Sequence, residues 1–157
     1  MPTIKTILHP TDFSESSKHA MTYAISFAQE FQSKLVLLHV IEEISSAIYF
    51  DMLQATPPLT QLMVNIEKQA KQALDEILPV ELRGKLPAEY VLRKGVPFVE
   101  ILQCASQVKA DMIVLGTHGR TGLKHALFGS VAEKVVRKAM CPVLSVRHPH
   151  QKFVMPE

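Results

Sequence analysis

The chain has 157 residues, 47% hydrophobic and 20% charged, with a net charge of +2 from 17 basic and 15 acidic side chains. That length suits one ordinary domain, and the composition excludes a disordered or fibrous chain. So even a charge balance gives no electrostatic reason to expect nucleic acid or an anionic membrane as a partner.

The first apolar run, Ile4 to His9, stops at Pro10 and is too short for a helix, so it reads as a strand. Ser14 is placed to cap the next element. From Glu15 to Gln32, Ala20, Tyr23, Ala24, Phe27, Ala28 and Phe31 recur at helical spacing and predict one buried stripe. Leu35 to Ile41 is nearly all apolar, as a strand covered on both faces should be. The stretch from Glu42 to Thr60 holds Pro57 and Pro58 and reads as a long excursion with one helical turn near Ala47 to Leu53. Leu62, Ile66, Ala70, Ala73, Leu74 and Ile77 then predict a helix over 60–78, ended by Pro79.

Ala88 to Arg93 reads as a third strand, closed by Lys94 and Gly95. Pro97 suits the first turn of a following helix. Asp111 to Leu115 supplies a fourth strand, a glycine-rich loop follows, and a helix from Ser130 to Ala139 leads to a last strand, Val143 to Val146. Alternating strands and helices predict an α/β fold: an open, doubly wound, parallel five-stranded sheet of order 3-2-1-4-5 with helices on both faces. Residues 1–147 read as a single domain and 148–157 as a tail.

Cys104 and Cys141 form no short-range pair and read as buried thiols in a reducing compartment. The N-terminus lacks a signal-peptide pattern, and no apolar run is long enough to cross a bilayer. A cytoplasmic location is the expectation.

An open parallel sheet binds ligands at the carboxyl ends of its strands, where the connections reverse direction. Pro10, Thr11 and Asp12 would meet there with Val40 and with the loop that starts at Gly116. In that loop Gly116, Gly119 and Gly122 allow close approach, and successive amides can turn inward around phosphate oxygens. Ser130 reads as a helix cap with Glu133 at capping-box spacing, and the helix start forms an anion site. Arg120, Lys124 and His125 add donors, and His118 could approach phosphate. The plain alternatives are a surface connection for the loop and, for Asp12, a cap or a tie for its own turn. Neither a Walker A nor a dinucleotide fingerprint is present.

With these residues the chain resembles the universal stress protein family over nearly its full length, in particular its ATP-binding branch. Gly116, Gly119, Gly129 and Ser130 keep that branch's spacing. ILHPTDFS, RKGVPFVEIL and CPVLSV resemble its first strand and Asp-bearing turn, its third-strand exit and its last strand. The resemblance implies that Pro10, Thr11 and Asp12 border the adenosine, Val40 the base, and Leu115 and Gly116 the sugar. It implies that Gly119, Arg120, Gly129, Ser130 and Val131 surround the phosphates, with a magnesium or manganese ion accompanying them. It further implies a homodimer through Val143 to Val146 and a role in stress survival, with slow hydrolysis or none and an unidentified protein partner. The rival readings are an ATPase or nucleotide-transfer enzyme, and a scaffold or chaperone that needs no nucleotide. His9 and His39 read as strand packing rather than catalysis, and no protein-held metal is expected.

Overall fold

The computed structural model describes residues 3–43, 59–118 and 129–149. The helical turn expected near Ala47 to Leu53, loop positions Gly119, Arg120, Gly122, Lys124 and His125, and the tail from 150 onward lie outside those residues. Five strands form one sheet: β1 (Thr6–Thr11), β2 (Lys34–Glu42), β3 (Ala88–Gly95), β4 (Met112–Gly116) and β5 (Val143–Val146). Among the described residues four α-helices alternate with them: α1 (Glu15–Glu30), α2 (Leu59–Asp75), α3 (Pro97–Gln107) and α4 (Ser130–Lys138). The order is β3-β2-β1-β4-β5 with every described pair parallel, as the alternation predicts.

Strand side chains alternate between faces, so each apolar run feeds two cores. Ile7, Leu35, Leu37 and Val114 pack with Ala20, Met21, Ala24, Ile25 and Ala28 of α1 and with Leu74 of α2. Leu8, Val36, Leu38, Ile113 and Leu115 pack on the other face with Ile101, Cys104 and Ala105 of α3 and with Ala132 and Val135 of α4. The central strands are covered on both sides. The sheet is doubly wound.

Three expectations shift. The buried stripe of α1 keeps its alanines but turns toward Met21 and Ile25, leaving Tyr23 and Phe31 exposed. On α2, Ala70 and Leu74 are buried while Leu62 and Ile66 are exposed. And β1 does not stop at His9; it runs through Pro10 to Thr11.

Proline survives there because a ring replaces its missing donor. Pairing of β1 with β4 extends only through Leu8 and Ile113, since Pro10 brings no N–H to the ladder. His9 Nδ1 instead lies 2.8 Å from the Val114 carbonyl, which can only accept, so Nδ1 carries the hydrogen. Complete burial lowers the His9 pKa from 6.5 to about 4, against the opposing pull of that hydrogen bond and of Asp12. The imidazole is neutral at pH 7.

Candidate functional site

The chain winds from β1 outward to β2 and β3, then returns to the other side of β1 for β4 and β5. In open sheets of this kind ligands bind beyond the carboxyl ends of the strands at such a reversal, here β1 and β4. Strand alternation decides which side chains face which side of the sheet. Pro10 shares parity with Leu8, and Val40 and Leu115 both pack into the α3/α4 core. Val131, in the first turn of α4, joins the same cluster. Four of the sequence-selected residues therefore gather on one face, at one edge.

Thr11 belongs to the opposite face. It is buried, and its hydroxyl accepts hydrogen bonds from Ser17 Oγ at 2.8 Å and from the Phe13 amide at 3.1 Å. Its side chain is committed to the turn at the start of α1. Asp12 follows it with Oδ1 accepting the Ser14 amide at 3.0 Å. The carboxylate does tie down its own turn, the plain role considered for it, but a carboxylate has about four acceptor sites. Ser14 caps α1 as expected, accepting the Ser17 amide at 3.2 Å.

Gly116 ends β4 opposite Val146. A Cβ there would lie 2.8 Å from Ser16 Oγ and 2.9 Å from the Ser16 carbonyl oxygen. Its bareness thus serves the first turn of α1, in addition to any ligand. Sequence reading missed this contact because the partners are a hundred positions apart.

Thr117, which was not singled out from the sequence, holds the loop by its base. It is buried, its amide donates to the Val146 carbonyl at 3.0 Å, and its own carbonyl accepts the Gly129 amide at 2.6 Å. His118 Nδ1 lies 3.0 Å from its hydroxyl. Whatever path residues 119–128 take, both ends of the glycine-spaced loop are clamped at the end of β4.

The expected capping box at Ser130 is not formed. Gly129 is the cap, Ser130 is the first helical residue, and among the described residues no side chain caps α4. Glu133 pairs instead with Arg137 one turn on, at 2.8 Å. Glycine offers no side-chain acceptor, so the cap residue itself does not engage the opening amides of α4, the kind of group that binds anions at helix starts.

Cys104 and Cys141 are free, and burial pushes both thiols up from their usual range, the reverse of an activated nucleophile. Among the described residues no group of three His, Cys, Asp or Glu side chains could hold a metal ion.

Comparison with known proteins agrees with this architecture. Residues 3–147 match the universal stress protein family. Universal stress protein MJ0531 of Methanocaldococcus jannaschii is 33% identical over 148 residues, 94% of this chain and 85% of that protein. Universal stress protein MJ0577 of the same organism is 32% identical over 157 residues, 91% of this chain and 94% of its own length. The solved structure of MJ0577 matches with a TM-score of 0.81 at 32% identity, covering 95% of this chain and 99% of that one. UspA from Lactobacillus plantarum, 23% identical over 94% of this chain and 100% of its own, shares the fold with a TM-score of 0.70. The chain belongs to the universal stress protein family.

Proposed function

We propose that this universal stress protein binds ATP at the carboxyl edge of β1 and β4, on the α3/α4 face, and acts in the cellular stress response. The observation that carries the reading is the meeting of Pro10, Val40, Leu115 and Val131 on one face, beside a helix whose cap, Gly129, has no side chain. An apolar wall suits a purine, and open amides suit phosphate. The spacing of Gly116, Gly119, Gly129 and Ser130 is that of the family's ATP-binding branch.

In this reading Pro10, the Thr11 backbone, Asp12 and Val40 border the adenosine, and Leu115 and Gly116 the sugar. His118, Gly119, Arg120, Gly129, Ser130 and Val131 surround the phosphates. A magnesium or manganese ion would enter with the triphosphate, held through phosphate oxygens. Rapid phosphoryl transfer needs a group that orients water at the far end of the nucleotide. Asp12 serves the nucleoside end, so turnover is slow or absent.

The nucleotide then acts as a regulatory or protective ligand of a homodimer that engages a further protein. β5 is the end strand of the sheet, with Val143, Leu144 and Ser145 half-buried and Val136 and Met140 exposed nearby. Among the described residues no helix is long and apolar enough to cross a membrane, and the cytoplasm is the expected location.

Calorimetric titration of nucleotide-free protein with ATP, AMP and cyclic AMP, with and without magnesium, tests the reading. ATP binding that tightens with the metal and exceeds AMP is expected. Absence of binding to any of the three would reject it in favour of a scaffold.

A further inference from the structure

The turn that carries Asp12 is held in place far more firmly than a loop between a strand and a helix requires. Phe13 sits at φ 63, a left-handed backbone that a bulky side chain rarely adopts and that the surroundings must hold in place. Three side chains over-determine it. Thr11 Oγ1 accepts the Phe13 amide at 3.1 Å and the Ser17 hydroxyl at 2.8 Å. His39, buried on β2 opposite Thr11, donates from Nδ1 to the Thr11 carbonyl at 2.7 Å. The Phe13 ring lies over that imidazole, centroids 4.4 Å apart.

The peptide that joins Thr11 to Asp12 is therefore fixed from the β2 side. In a trans peptide the amide hydrogen points opposite to the carbonyl. With the Thr11 carbonyl drawn toward His39, the Asp12 N–H is turned to the side on which β4 lies. The carboxylate of Asp12 is set by the same turn through Ser14.

From this we infer that His39 and Phe13 are a positioning pair for Asp12: the imidazole orients the peptide, the ring holds the imidazole, and together they set the affinity for the nucleoside end of the ligand. The inference rests on the reading that Asp12 borders the nucleoside. Neither residue touches the nucleotide. Both act from the opposite face of the sheet.

The test is ATP and AMP affinity, measured by calorimetry well below the melting temperature of each variant. His39→Leu, which keeps bulk and loses the donor, should weaken both nucleotides by about the same factor, on the order of tenfold. His39→Asn, whose side-chain amide restores a donor near the Nδ1 position, should recover most of that loss. Phe13→Gly accepts the left-handed backbone without strain and releases the imidazole. It should weaken both nucleotides in the same way, and it carries the test if His39→Leu fails to fold. Unchanged affinity in His39→Leu or in Phe13→Gly overturns the proposal. A loss much larger for ATP than for AMP also overturns it, because that would report a loosened phosphate end. If the unaltered protein binds neither nucleotide, the proposal falls together with the function it refines.

Discussion

A methyl group at position 116 would stand 2.8 Å from Ser16 Oγ and 3.0 Å from the Ser16 carbonyl carbon, so the first turn of α1 would have to move. Gly116→Ala should destabilise the nucleotide-free protein by about 1–3 kcal/mol, the usual cost of overpacking. Chemical denaturation checks this, and an unchanged midpoint would show that α1 can give way freely. His9 makes a second prediction. Its folded pKa of about 4 lies below its unfolded value of 6.5, so between those values the unfolded chain binds more protons. Stability is fully present above pH 6.5 and falls as the pH drops toward 4, by up to about 1.4 kcal/mol per unit from this group. Replacing His9 by Asn, which can still donate to Val114, should flatten that part of the pH profile. Equal slopes in the two proteins would assign the acid sensitivity to other groups.

At the scale of elements, the apolar runs and helical spacings carried most of the fold, because each strand feeds two cores and each helix one. Pro97 opens α3 and Ser14 caps α1, both legible from local chemistry. What local reading missed came from partners distant in sequence. Pro10 looks like a terminator until His9 and Val114 are seen to meet. Ser130 and Glu133 look like a capping box until Glu133 is found with Arg137. For the candidate site, strand alternation made the shared face of Pro10, Val40 and Leu115 legible, and Val131 joins them; the turning away of the Thr11 side chain was not, because it depends on Ser17. The outer edge of β5 offers backbone groups to a partner strand. A second copy is expected there, so sedimentation should report a dimer that dissociates on dilution, and Ser145→Pro should shift the equilibrium toward monomer. A mass independent of concentration at the monomer value would contradict this pairing.

For the whole molecule, the winding of the chain puts the candidate ligand edge and the supporting turn at the same end of the sheet. Helices α1 and α2 cover one face and α3 and α4 the other, so the carboxyl edge between β1 and β4 is where a ligand can approach both the strand ends and the start of α4. The measurement that tests this most directly is the change in backbone amide resonances on titrating the protein with magnesium and ATP. Saturable shifts are expected at Asp12, Val40, Gly116, Ser130 and Val131, with Lys34, Ala88 and Met112 at the opposite edge nearly still. Shifts confined to that opposite edge, or none at saturating nucleotide, would contradict it.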